Sequence, residues 1–302
     1  MKPPVLKWKK LWWNNRETMN LPSVNIKQLL EAGVHLGHKT FRWNPKMSKF
    51  IFGSKNSIHI IDLVQTMEMM NSALGQIHKC ITFGGKMVFV STKKQAAESI
   101  STLAKNTSQF YVNHRWLGGM LTNWKTISNS IKYYKKLTED LTKENKGFTK
   151  KEILKMSTKR DKLERSLGGI ADMKKVPDMI FIIDTNVEAL AVKEAIKLNI
   201  PIVAIVDTNS DPTGINFPIP GNDDARRSIN LYCELVKETV LDAQKQITQD
   251  SKEESEPEIK LEESKIKVKE LVLKPKAKID VIKKKSKSII SKIQKLASRK
   301  KK

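Results

Sequence analysis

Apolar positions along this chain recur with two alternating patterns from Ile26 onward: helical stripes of three- and four-residue spacing, separated by short runs apolar at every position. Leu63, Met67, Met70, Leu74, Ile77 and Ile81 fall on one helical face, with Asp62 placed to cap the first turn through its side-chain oxygen. The continuous run Met87–Val90 follows. Ile180–Ile183, a helix from about Val187 to Leu198, and Ile202–Val206 repeat the rhythm. A last helix, from Asp223 to about Gln246, puts Ala225, Ile229, Tyr232, Val236 and Val240 on one side. Strands apolar on both faces belong in a parallel sheet covered by helices. The expected fold class is α/β, with a doubly wound, mostly parallel sheet of the flavodoxin or Rossmann type.

One stretch, about 121–170, interrupts this rhythm. Trp124, Ile127, Ile131, Tyr134, Leu137 and Leu141 make one stripe, while Ile153, Met156, Arg160, Leu163, Leu167 and Ile170 keep a three-four alternation. Two facing helices follow, with Lys146 and Gly147 in the turn and Thr149 with Glu152 as a capping box on the return arm. The expectation is an inserted helical hairpin of coiled-coil character.

Between these elements lie two segments of unusual chemistry. Asn113–Trp124 reads N-H-R-W-L-G-G-M-L-T-N-W. Arg115 can fork onto phosphate oxygens, His114 and Trp116 offer flat faces for bases or riboses, and Gly118–Gly119 permits close backbone approach where a helix begins. A buried strand end with its Trp in the core is the alternative for this segment taken alone. Upstream, Lys39, Arg42, Lys46, Lys49 and Lys55 interleave with Phe41, Trp43 and Phe50, a pattern suited to tracking a phosphate backbone while stacking on bases. His35 and His38, three apart, lack an evident third metal ligand, and Gly33 and Gly37 point to a helix end. RNA or core contacts are the preferred reading, and no metal is expected.

Charge sharpens the picture. Lys and Arg number 56 against 32 Asp and Glu, for a net +24, so a polyanion is the expected partner. The two cysteines, Cys80 and Cys233, show no ligand or pairing motif. No apolar run approaches the roughly 18 residues of a membrane span, and the chain is expected in the cytosol with no membrane partner. Residues 1–20 form a basic-aromatic extension that reads equally as an RNA-stacking arm or as translated upstream sequence with the start at Met19, and less well as a mitochondrial presequence, having little Ser or Arg. The main domain is expected over 21–249. Residues 250–302 are lysine-rich after an acidic patch and short of apolar surface, and are expected to be disordered in the free protein.

The strongest enzyme-like signal is a pair of strand ends, F-I-I-D-T-N at Asp184 and A-I-V-D-T-N at Asp207. Both acids should emerge at the carboxyl edge of a parallel sheet, where α/β enzymes place nucleotide or phosphate ligands. No nucleophile, Walker loop or G-x-G-x-x-G completes a reaction, so both are read as structural, with no catalysis and no cofactor expected.

Ordered motifs then carry a family resemblance: L-L-E-A-G-V-H-L-G-H (Leu29–His38), R-W-N-P-K-M (Arg42–Met47), F-I-F-G (Phe50–Gly53), I-H-I-I-D (Ile58–Asp62), V-S-T-K (Val90–Lys93), S-L-G-G-I-A-D-M (Ser166–Met173), I-P-I-V-A-I-V-D-T-N-S-D-P (Ile200–Pro212) and I-P-G-N-D-D-A (Ile219–Ala225). With Asn113–Trp124, they resemble the bacterial form of small-subunit ribosomal protein two, the S-two family, from about Leu21 to about Lys245. The resemblance implies a structural constituent of the small ribosomal subunit that is not a homo-oligomer and supports assembly and translation. It would bind rRNA between head and body near the mRNA exit path, beside ribosomal protein one in bacteria, or sit in an organellar matrix were the gene organellar. The candidate RNA contacts are His35, His38, Lys39, Arg42, Trp43, Lys46, Lys49, His114, Arg115, Trp116, Lys125, Arg226 and Arg227.

Overall fold

The computed structural model describes residues 21–142 and 149–247. The extension over 1–20, the Lys146–Gly147 turn and the lysine-rich stretch over 250–302 lie outside the described residues. Within them the chain runs α1 (Ile26–Ala32), β1 (Leu36–Lys39), β2 (Ile51–Lys55), β3 (Ile58–Ile61), α2 (Leu63–Thr82), β4 (Met87–Val90), α3 (Lys94–Thr107), β5 (Phe110–Val112), α4 (Trp124–Thr142), α5 (Lys150–Leu167), β6 (Met179–Ile183), α6 (Ala189–Lys197), β7 (Ile202–Val206) and β8 (Phe217–Pro220). A closing helix, α7, occupies 226–247.

The five later strands form one sheet in the order β5-β4-β6-β7-β8, every neighbour parallel. Chain direction across the sheet reverses once, between β4 and β6. Because β-helix-β crossovers are right-handed, helices before and after that reversal cover opposite faces. This is the doubly wound arrangement expected from the apolar runs. Side chains alternate between faces: Val88, Val90, Ile180, Ile182, Ile202, Ala204 and Val206 share a core with Trp116, Leu121, Ile127, Leu167, Ala191 and Ala195. Phe89 and Phe181 turn the other way and meet edge-on, centroids 5.9 Å apart. Asp62 caps α2 as expected, accepting from the Val64 N–H at 2.9 Å.

Two features of the strands depart from the sequence expectation. The segment between α1 and α2 is not a loop but a small antiparallel sheet, β1-β3-β2. Asn56 and Ser57 make the β2–β3 turn with φ of 53° and 60°, the left-handed pair that a tight hairpin uses. The other is β8, a strand holding Pro218 and Pro220. It is tolerated because β8 is the sheet edge, where a missing N–H leaves no ladder bond unmade. The closing helix also begins later than Asp223, since Asn222 Oδ1 accepts from the N–H groups of Asp224 and Ala225 and holds them as an entry turn.

Helices α4 and α5 pack against each other. Ile127, Ile131 and Leu137 are buried along α4, and Leu167 is buried at the base of α5. The far end of the return stripe is corrected: Ile153 is 44% exposed. The capping box is present, with the Thr149 side chain accepting from the Glu152 N–H and Glu152 reaching back to the Thr149 N–H. Thr149→Ala should therefore fray the first turn of α5 and lower the melting temperature by roughly 2–4 °C, readable by circular dichroism.

Candidate nucleic-acid interface

Both basic-aromatic segments come out at the carboxyl edge of the sheet. The first is anchored there by the Asn44 N–H, which donates to the Thr208 carbonyl after β7 at 2.8 Å, while Met47 and Phe50 sink into the core. Their neighbours are left outside. Lys39, Phe41, Arg42, Trp43, Lys46, Lys49 and Phe52 are exposed, the Phe41 ring 74% so and Phe52 80%. Arg42 lies over the Phe41 ring at 5.4 Å, and the Lys49 Nζ is 4.7 Å from the Phe50 centroid. The Phe41 face, backed by Arg42, is thus presented to solvent, the arrangement that stacks bases and neutralises phosphates. Trp43 leans on the His59 ring, centroids 5.5 Å apart. Lys46 is more committed, bonded to Asp211 at 2.7 Å and Thr213 at 3.1 Å, and the Lys46 bond, with those that Thr213 donates, holds the Asp211 carboxyl down to about 2.

The second segment splits residue by residue. His114 and Arg115 are exposed after β5 and carry no hydrogen bond or ion pair within the described residues. Trp116 corrects the expectation of a ring at the mouth of the connection: it is 6% exposed, and its Nε1 donates to Glu194 on α6 at 3.1 Å. Glu194, which the sequence reading passed over, organises the whole turn. Its two oxygens also accept from the N–H groups of Gly119 (2.8 Å), Leu121 (2.9 Å) and Thr122 (3.1 Å), and from the Thr122 hydroxyl. The amides before α4 therefore hold an internal carboxylate rather than offering themselves to phosphate. Gly119, at φ 82°, is the left-handed residue that turns the chain toward that carboxylate. Burial pushes the Glu194 carboxyl up, but the N–H donors of Thr122, Leu121, Trp116 and Gly119 outweigh it, and the net shift is downward. A signal existed: Glu194 shares the buried stripe of α6 with Ala191 and Ala195. Since Arg115 has no hydrogen-bond or ion-pair partner among the described residues, Arg115→Ala should leave the melting temperature within about 2 °C of the parent by calorimetry.

The remaining candidates also divide. Lys125 and Arg227 are exposed without an intramolecular partner among the described residues, whereas Arg226, also exposed, pairs with Glu98 at 3.1 Å. His35 and His38 do not lie on a helix. His35 is half-buried, with Nδ1 unpartnered. His38 turns inward, its Nδ1 2.9 Å from Asp207 and its Nε2 3.4 Å from Asp224, so it is corrected from RNA contact to internal tie. The bond to Asp207 is the main reason its pKa is raised. The approach depends on Gly37, where a Cβ would sit 2.6 Å from Thr208.

The two acids that looked enzyme-like are committed. Asp184 Oδ1 caps the next turn by accepting from the N–H groups of Asn186 and Val187, and its Oδ2 is 2.8 Å from Lys93 Nζ. Lys93 also contacts Asp223 at 2.8 Å and Asp224 at 2.7 Å. Burial alone would lower the Lys93 pKa, but these carboxylates hold it above the ordinary lysine range. The crevice where a doubly wound sheet binds phosphates is thus closed by a lysine and lined by carboxylates that repel an anion. A cation at the start of α3 opposes the helix dipole unless paired, and that conflict was the readable clue to Lys93.

The model for the family described as ribosomal protein S2 matches residues 29–243. The small ribosomal subunit protein uS2 of Parvibaculum lavamentivorans is 57% identical over 224 residues, 74% of this chain and 88% of the relative. Those of Gluconacetobacter diazotrophicus and Brucella suis are 58% and 57% identical, over 86% and 88% of their lengths.

Proposed function

Because this chain belongs to the ribosomal protein S2 family, we propose that it is a structural constituent of the small ribosomal subunit that works in translation by binding rRNA, without catalysis of its own. The observation that carries the rRNA interface is the pair of exposed segments at the sheet's carboxyl edge, Lys39–Lys49 and His114–Arg115, whose cations are almost all left without internal partners among the described residues. A net charge of +24 supplies the long-range attraction. Lys and Arg neutralise phosphates, and Phe41, Trp43 and Phe52 stack on unpaired bases, so folded RNA shape should count for more than sequence.

The domain boundaries follow the same division. Residues 1–20 act as an accessory extension, 21–249 as the ribosomal domain, and the lysine-rich 250–302 as a further phosphate-binding tail. Helices α4 and α5 serve as a projecting coiled-coil hairpin, supported by their mutual packing and the capped start of α5. The proposed seat is between head and body near the mRNA exit path, beside ribosomal protein one in bacteria, in the cytoplasmic ribosome. No described helix is long and apolar enough to cross a membrane.

Incorporation tests this reading. Full-length protein mixed with small subunits stripped of it should co-sediment in a sucrose gradient at low salt, and Arg115→Ala should weaken retention by roughly 10- to 100-fold, the loss of one charge-assisted fork worth about 1.5–3 kcal/mol. Wild-type protein that stays at the top of the gradient would refute it.

A further inference from the structure

A cavity of 370 Å³ lies where the end of α5 meets the end of β5, within the roughly 300–1,000 Å³ of small-ligand sites. Gly169 shapes it. A Cβ there would collide with the Tyr111 carbonyl and stand 2.9 Å from the Tyr111 ring, so glycine is what lets the turn after α5 press against β5 and wall the cavity. The charged residues lining it differ in commitment. Asp161 is neutralised by its neighbour Arg160, whose Nε and Nη2 donate to one carboxylate oxygen at 3.0 and 2.6 Å. Glu164, Arg165 and His114 are exposed, and their side chains carry no hydrogen bond or ion pair among the described residues. A free carboxylate, a free guanidinium and a free imidazole therefore line one polar hollow, next in sequence to the equally free Arg115.

We propose that this cavity holds a single guanine base splayed out of an RNA strand, read by Glu164. The inference rests on the rRNA-binding reading above and adds one point at which base identity counts, on an interface that otherwise reads shape. A carboxylate only accepts hydrogen bonds, so its partner must present donors. Guanine alone among the four RNA bases carries two adjacent donors on its Watson–Crick edge, N1–H and the exocyclic 2-amino group, spaced to meet the two oxygens of one carboxylate. Adenine and cytosine set an acceptor nitrogen beside their amino group, and uracil flanks its single N–H with two carbonyls. Each of these turns a lone pair toward Glu164. A phosphate is kept off Glu164 by like charge. The His114 ring and the Arg165 plane offer flat faces for stacking, the mode by which unpaired RNA bases are held, and Arg115 forks onto a phosphate of the same strand.

Fluorescence anisotropy of the full-length protein with the labelled RNA pentamers UUGUU, UUAUU, UUCUU and UUUUU tests the site at physiological salt, where the phosphate attraction common to all four is weakened. UUGUU is expected to bind roughly 5- to 100-fold more tightly than the other three, the discrimination of one bidentate pair. Glu164→Gln, at an exposed helical position, should erase that preference with the melting temperature unchanged, while Arg115→Ala should weaken all four pentamers alike. Inosine in place of the guanosine removes the 2-amino group and should lose most of the preference. Equal binding of the four pentamers by the parent, a guanine preference that survives in Glu164→Gln, or an inosine pentamer bound as tightly as UUGUU would overturn the assignment. Subunits can retain the protein when no base is preferred, so failure here is distinct from failure of the ribosomal reading.

Discussion

Glu194→Ala is expected to destabilise the protein by about 3 kcal/mol, a fall in melting temperature of roughly 6–12 °C. The carboxylate accepts from the Trp116 indole and from three backbone N–H groups, and alanine leaves those donors facing a gap beside the core. Glu194→Gln should fall between, because one carbonyl oxygen still accepts while the new NH₂ meets donors. The pH dependence fixes the cause. The folded-state pKa of Glu194 lies below the ordinary value of 4.5, so its contribution is present above that value and is lost as pH falls through the lower, folded one. The gap in melting temperature between parent and Glu194→Gln should therefore be full at pH 6 and shrink toward pH 3. A gap independent of pH would show that the residue acts by shape and not by charge.

The second large effect concerns binding. Lys39, Arg42 and Lys49 are exposed and carry no internal ion pair among the described residues, so their reversal to Glu leaves the core untouched and removes three phosphate contacts. The triple variant should keep a near-parental melting temperature and bind small-subunit rRNA at least 100-fold more weakly at low salt. The slope of log affinity against log salt should become shallower by about two to three, the count of counterions no longer released. Lys46→Ala should do less, since Lys46 is already tied to Asp211. A parental slope in the triple variant would remove this surface from the interface.

The parallel sheet was legible because its strands are apolar at every position and its helices carry clear stripes, signals set by burial on two faces. The antiparallel β1-β3-β2 sheet was not, because its strands lie half-exposed and mix His, Gly and Lys with apolar residues. In β8 the prolines argue against a strand, and only its edge position reconciles them. Within the candidate site, residue type was a poor guide to direction. Arg115 and Trp116 are adjacent, yet one faces water and the other the core, a choice set by Glu194 some 78 positions from Trp116. His38 likewise reads as a helix-end histidine until Asp207, 169 residues away, is placed against it. Local patterns report periodicity and burial, but long-range polar partners are fixed only when the sheet brings its strand ends together.

Small subunits stripped of this protein and mixed with equimolar parent or Lys39→Glu/Arg42→Glu/Lys49→Glu protein provide the decisive comparison, followed by sedimentation across a series of salt concentrations. The parent should sediment with the subunits at low salt and be released steeply as salt rises, while the folded triple variant should stay in the free fraction throughout. Equal sedimentation of the two, or parental binding indifferent to salt, would contradict an rRNA-binding role seated on this edge of the sheet.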